Sequence, residues 1–171
     1  MHVFLTGPKN IGKSTIIDKV IKNIDLECGG FLTFYEDHCE NPNRQLLMSA
    51  PQQGTGLTKK EVVISFLNNK PQFETCKFDE VGVELLTACQ DSVELFIMDE
   101  CGRLEKDSKI FQKTILDILK GNTPVLGVIA HNKPSWILEI INHYNVSVIE
   151  VNEENRNDLP LTLLQKFKNT K

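Results

Sequence analysis

Short continuous apolar runs alternate along this chain with stretches whose apolar residues recur every three or four positions. His2-Val3-Phe4-Leu5-Thr6 is the first run and reads as a buried strand. Ile16, Ile17, Val20 and Ile21 then mark one face of a helix beginning near Ser14. Cys28-Gly29-Gly30 breaks that pattern. Phe31 to Glu36 reads as a second strand, Glu40-Asn41-Pro42-Asn43 as a turn, and Arg44 to Ser49 as a third strand hairpinned to the second. Pro51 to Gly56 is a loop. Between Thr58 and Phe66 two signals conflict: Thr58 and Glu61 fit a capping box, whereas Val62, Val63 and Ile64 are β-branched. An extended piece ends at Phe78, and Asp79 is placed to N-cap a helix through about Gln90.

Val93-Glu94-Leu95-Phe96-Ile97-Met98 is a strong strand ending in Asp99-Glu100. Asp107 or Ser108 opens an amphipathic helix with Ile110, Phe111, Ile115, Ile118 and Leu119 as its apolar set, and Gly121 lies just past its end. Pro124 to Ala130 is unbroken apolar sequence, the mark of a strand covered on both faces. A helix from Ser135 to His143, a last strand from Val146 to Val151, a polar loop from Asn152 to Asp158 and a helix from Pro160 complete the chain. Strands alternating with helices predict an α/β fold with a mostly parallel sheet flanked by helices, and a small β-hairpin in the N-terminal half.

Composition narrows the partners. The chain has 171 residues, 40% hydrophobic and 25% charged, which suits one domain spanning 1–171. Net charge is −4 and no dense Lys/Arg block occurs, which argues against a nucleic-acid partner. No apolar run approaches the ~20 residues of a membrane span. No basic leader precedes the first strand. Five cysteines, an odd count without a C-x-x-C pair, fit free thiols, and the expected location is the cytoplasm. His38-Cys39 has no second pair at zinc spacing.

The chemistry concentrates in Gly7-Pro8-Lys9-Asn10-Ile11-Gly12-Lys13-Ser14, which fits G-x-x-x-x-G-K-[ST] between a strand and a helix. Two glycines let the backbone turn its amides inward around an anion, and the following helix adds its positive end. Lys13 can reach the β- and γ-phosphates, and the Ser14 hydroxyl can ligate Mg²⁺. Gly7 to Ser14, with Thr15, form the nucleotide-binding candidates. The acidic partner is Asp99, carried by Leu95-Phe96-Ile97-Met98 to the C-terminal edge of its strand in the Walker B manner. Glu100 follows, and a carboxylate one residue beyond the metal ligand can orient and deprotonate an attacking water. Arg103 is a candidate cation near the γ-phosphate. Asn155 and Arg156, after the last strand, are candidate contacts on the base side.

The P-loop, Gly30-Phe31, Asp99-Glu100-Cys101-Gly102-Arg103-Leu104-Glu105, Pro124-Val125-Leu126-Gly127 and Glu154-Asn155-Arg156-Asn157-Asp158-Leu159-Pro160 occur in this order. Together they resemble the THEP1-type, cancer-related nucleoside-triphosphatase family, over most of the chain and least from Pro51 to Phe78. The family usually has a Lys at the place of Arg103. The resemblance implies Mg²⁺-dependent hydrolysis of ATP, GTP and other nucleoside triphosphates to diphosphate and phosphate, slow and tolerant of base. It also implies a RecA-like sheet in which Pro124–Ala130 lies between the P-loop strand and the Asp99 strand, with His131 and Asn132 near the γ-phosphate.

Other readings compete. Asp99-Glu100-Cys101-Gly102 spells D-x-x-G and Asn132-Lys133-Pro134-Ser135 nearly spells N-K-x-D, as in a GTPase switch. Ser135, however, cannot grip two base N–H groups as a carboxylate does. A kinase for two phosphate-bearing substrates normally gathers several arginines, and this chain has only Arg44, Arg103 and Arg156. An alcohol-phosphorylating kinase and a non-enzymatic nucleotide-dependent regulator stay open as alternatives.

Overall fold

One eight-stranded sheet organises the chain in this computed structural model, which describes residues 1–36, 41–51, 59–88, 91–131 and 134–168. In chain order the elements are β1 (His2–Thr6), α1 (Lys13–Asn23), β2 (Cys28–Tyr35), β3 (Gln45–Ser49), β4 (Glu61–Leu67), β5 (Lys70–Gln72), α2 (Val83–Thr87), β6 (Leu95–Cys101), α3 (Lys109–Leu119), β7 (Val125–Ile129), α4 (Ser135–Ile141), β8 (Val146–Glu150) and α5 (Leu159–Lys168). The strand order is β5-β4-β3-β2-β6-β7-β1-β8. From β2 through β6, β7 and β1 to β8 the pairing is parallel, and from β2 outward through β3, β4 and β5 it is antiparallel. The α/β expectation therefore holds, and β7 is the strand expected between β1 and the Asp99 strand. The expected hairpin is larger than anticipated, because β4 and β5 extend it.

The parallel strands are apolar on both faces because helices cover both. Val3, Leu5, Leu95, Ile97, Leu126 and Val128 pack against Ile16, Ile17 and Val20 of α1 and Leu163 and Phe167 of α5. Their neighbours Phe4, Phe96, Met98, Val125 and Ile129 share the other core with Phe111 and Ile115 of α3 and Trp136, Ile137 and Ile140 of α4. Among the described residues no helix is long and apolar enough to cross a membrane.

The structure corrects some local expectations and decides one left open. Cys28-Gly29-Gly30 does not break the chain but starts β2, which pairs residue by residue with Leu95 to Met98. Gly30 has φ 94°, and a Cβ there would collide with the Ile97 carbonyl oxygen, so glycine is what lets β2 lie against β6. Of the two conflicting signals before Phe66 the β-branched one prevails: Glu61–Leu67 is a strand, because β3 offers it an antiparallel partner. Thr58, the other half of the supposed capping box, lies outside the described residues. β4 turns into β5 through Asn68 and Asn69, whose φ values of 50° and 63° suit a two-residue hairpin.

The helix expected from Asp79 to about Gln90 is present: Phe78–Gly82 winds as a π-helix and runs directly into α2, while Gln90 lies outside the described residues. Asp79 caps a different helix: its carboxylate accepts from the Phe111 amide at 2.8 Å, at the first turn of α3. Ser108, the local cap position of α3, makes no side-chain cap bond. Finally, β6 begins at Leu95 rather than Val93 and runs past Asp99 and Glu100 to Cys101.

Candidate active site

β1 delivers the chain to the loop, and the loop's shape follows from its glycines. Gly7 has φ 137°, and a Cβ there would press on the Val151 carbonyl oxygen at 2.6 Å, just past β8. Asn10 and Gly12 also take left-handed values, 63° and 111°. Gly12 is the N-cap of α1 and supplies no side-chain cap. The first amides of α1 consequently have no intrahelical acceptor, and they lie where an anion would bind. Ile11 is anchored in the α1/α5 core, while Pro8, Lys9 and Asn10 are exposed. The Lys13 ammonium crosses the loop and donates to the carbonyls of Pro8 at 2.7 Å and Gly7 at 3.0 Å. Burial lowers the Lys13 pKa, and the charges of Glu100 and Asp99 push it back up.

Strand alternation aims Asp99. Leu95 and Ile97 face α1, so Asp99 faces it too, and the Ser14 hydroxyl donates to Asp99 Oδ1 at 3.2 Å. Asp99 is only 3% exposed. Burial raises its pKa to about 7, the nearby Glu100 charge adds to the rise, and the Ser14 hydrogen bond opposes it.

Alternation would then send Glu100 into the apolar face on the α3 side. A bulge prevents this. Between Met98↔Gly127 and Cys101↔Ile129, β6 spends one residue more than β7. Glu100 lies in that bulge with φ 69°, and its side chain is exposed at the mouth of the site. Cys101, brought back into register, is fully buried in the core facing α3 and α4. A single inserted residue thus turns two successive carboxylates to different tasks: one buried beside Ser14, the other open to solvent.

Residues 2–164 match the family model described as NTPase. The chain belongs to this NTPase family. The nucleoside-triphosphatase THEP1 of Thermotoga maritima is 26% identical over 98% of this chain and 96% of its own length. The human cancer-related nucleoside-triphosphatase is 29% identical over 92% of each. Among solved structures, the crystal structure of THEP1 from Aquifex aeolicus gives a TM-score of 0.76 at 20% identity, covering 98% of this chain and 99% of that one. The solution structure of the human cancer-related protein gives 0.67 at 22% identity, covering 99% and 98%. These two structural likenesses carry the fold. The family carries the enzyme class, a hydrolase of the nucleoside-triphosphatase type.

In this NTPase the remaining candidates fall into two groups. Arg103 is exposed and lines the same cleft as Glu100, with Thr33, Tyr35, Leu46, Gly102, Leu104 and Glu105. Among the described residues neither Glu105 nor Asp107 forms an ion pair with it. Asn155 is spent on its own loop: its amide donates to the Glu150 carbonyl at 2.8 Å and its oxygen accepts from the Asn152 amide at 2.9 Å. That folds the loop after β8 and leaves the exposed Arg156 side chain, which has no ion pair among the described residues, as the group on offer. His131 follows β7 and is exposed; Asn132 lies outside the described residues.

Sequence reasoning missed how Gly102 is held. The Trp136 indole donates to the Gly102 carbonyl at 2.8 Å, and the Gly102 amide donates to Glu105 Oε2 at 2.8 Å. Thr33 Oγ1 donates to the Asp99 carbonyl at 2.9 Å from β2. The available signal was the buried tryptophan, since a buried indole N–H normally finds an acceptor.

The donor set also fits a hard divalent cation. Ser14 and Asp99 offer two oxygens within hydrogen-bonding distance of one another, and Asp99 is a carboxyl whose ionised form burial disfavours. Mg²⁺ sites of this class use one or two protein oxygens plus substrate phosphates and waters.

Proposed function

We propose that this chain hydrolyses nucleoside 5′-triphosphates to the diphosphate and phosphate with Mg²⁺, slowly and with little regard for the base. The observation that carries the reading is the bulge at Glu100, which sets an exposed carboxylate beside a buried Asp99 bonded to Ser14 of the P-loop.

The roles follow from position. The loop amides and the α1 N-terminus hold the phosphates, and Lys13 leaves the Gly7 and Pro8 carbonyls to meet their β/γ charge. Ser14 and Asp99 would hold the metal, which when bound would supply positive charge against the phosphate oxygens. Glu100 orients a water and takes its proton. Water is taken as the acceptor because Glu100 is exposed at a cleft that opens to solvent and has room for a few waters. Turnover is slow because Arg103 is exposed and, among the described residues, in no ion pair, so the charge it supplies is poorly preorganised. Arg156 stacks on the base without reading its edge, which gives affinity with little discrimination. The whole chain acts as one domain in the cytoplasm, where Cys28, Cys76 and Cys101 remain thiols.

The test is phosphate release from ATP, GTP, CTP and UTP, with Mg²⁺ or with chelator and without added acceptor. Release that needs Mg²⁺ and differs among bases by less than about tenfold supports the reading, a spread of ~1.4 kcal/mol. Lys13→Ala removes the release while the protein stays folded. Hydrolysis by folded Lys13→Ala at the wild-type rate refutes the site.

A further inference from the structure

A left-handed φ at a residue with a full side chain is disfavoured, and it persists only where the surroundings over-determine it. Glu100 is such a residue, at 69°, in a strand that has just lost register with its neighbour. What fixes it lies two residues on. Both polar groups of the Gly102 backbone are engaged by side chains: the carbonyl by the Trp136 indole of α4 and the amide by the Glu105 carboxyl, each at 2.8 Å.

Both partners are themselves immobile. Trp136 is 4% exposed and packed in the core facing α3 and α4. Glu105 is 3% exposed, and its carbonyl accepts from the buried Gln112 amide of α3 at 2.6 Å. Gly102 lies close against Ala130, just past β7: a Cβ on it would sit 3.1 Å from the Ala130 Cβ. The Cys101 carbonyl between them is bonded by the Ala130 amide at 2.9 Å. Trp136 of α4 and Glu105, itself tied to α3 by Gln112, therefore hold the turn that follows Glu100.

We propose that Trp136 and Glu105 are positioning residues for hydrolysis: by clamping the two polar groups of Gly102 they hold Glu100 in its bulged, left-handed conformation against the γ-phosphate. The inference rests on the water role of Glu100. Trp136, on α4, is buried and bonded to the Gly102 carbonyl; Glu105 lines the cleft with Glu100, but it is 3% exposed and its carboxyl is bonded to the Gly102 amide. Their loss moves the carboxylate without emptying the nucleotide site. The effect is therefore on kcat, with nucleotide KM unchanged.

The experiment compares Trp136→Phe, Glu105→Leu and Glu105→Gln, each alone and in a Glu100→Gln background, with kcat, KM and circular dichroism measured on the same samples. Trp136→Phe keeps an aromatic ring and deletes the donor. Glu105→Leu deletes the acceptor, and Glu105→Gln restores it. A misplacement of the order of 1 Å costs up to about a hundredfold, so folded Trp136→Phe and Glu105→Leu are expected to lose about tenfold or more in kcat with KM within about twofold. Glu105→Gln recovers most of the Leu loss. Adding Trp136→Phe to Glu100→Gln costs nothing further, because the group it positions is already gone.

Wild-type kcat in folded Trp136→Phe and Glu105→Leu overturns the proposal. So does an equal loss in the Glu100→Gln background, which places the effect elsewhere. If one deletion fails to fold, the other decides alone. Wild-type kcat in Glu100→Gln by itself overturns the water role and the positioning with it, and that result is visible before either clamp is touched.

Discussion

Asp99→Asn is expected to make the protein more stable, not less, when metal and nucleotide are absent and the pH is above neutral. Asp99 is 3% exposed, and burial lifts its pKa from 3.8 to about 7. A carboxyl whose folded pKa lies above its unfolded one contributes its stability fully below pH 3.8. That contribution is lost as pH rises through 7. At pH 8 the folded protein bears the whole cost of a buried carboxylate. The difference between 3.8 and about 7 corresponds to about 4 kcal/mol as a ceiling, and relaxation of the site brings the expectation to about 2 kcal/mol. Asparagine has the same shape, no charge, and an oxygen that still accepts from Ser14. Its advantage is absent at pH 4 and complete at pH 8. Glu105, raised to about 7, and His2, lowered to about 4, titrate in both proteins alike and cancel in the comparison.

The assay is thermal unfolding of both proteins at pH 4, 6 and 8, with chelator and with Mg²⁺. About 2 kcal/mol raises Tm by roughly 4–8 °C in a chain of this size. Mg²⁺ should narrow the gap at pH 8 by stabilising the wild type alone. Asn no more stable than Asp at pH 8, or an equal advantage at pH 4 and 8, refutes the electrostatic reasoning.

Arg103→Ala should lower kcat more than it raises KM in steady-state phosphate release; a loss of stability with normal kcat would mean the guanidinium serves the surface only. Arg156→Ala should raise KM for ATP, GTP, CTP and UTP alike and leave kcat nearly intact, and a loss confined to one base would show that the side chain reads an edge. Gly30→Ala should destabilise by about 2–4 kcal/mol in equilibrium unfolding, because it combines a left-handed φ with a clash on the Ile97 carbonyl. An unchanged midpoint would contradict the close approach of β2 and β6.

The P-loop and Asp99 were legible because their requirements are local. A glycine loop between strand and helix, and a carboxylate at a strand's end, need only neighbours in sequence. The parallel core strands were legible for the same reason, since Pro124 to Ala130 carries no polar side chain. What was not legible depended on partners distant in sequence. Gly29-Gly30 looks like a break until β6 is beside it, and Glu61–Leu67 is undecided until β3 pairs with it. Asp79 looks like the cap of its own helix, but the amide it meets belongs to Phe111, in another element. The bulge at Glu100 exists only as a mismatch between β6 and β7, so no single strand encodes it. Trp136 could be core or interface from its sequence context; its acceptor, Gly102, lies 34 residues away.

The central claim is that Glu100, held in that bulge, handles the attacking water. Glu100→Gln tests it most directly, with phosphate release and Mg²⁺-nucleotide binding measured on one preparation. Loss of a positioned base costs on the order of 10²–10⁴ in rate. Glu100→Gln is therefore expected to bind Mg²⁺-ATP within a few-fold of wild type and to release phosphate at least about a hundredfold more slowly. Binding intact and phosphate release at the wild-type rate would contradict the account.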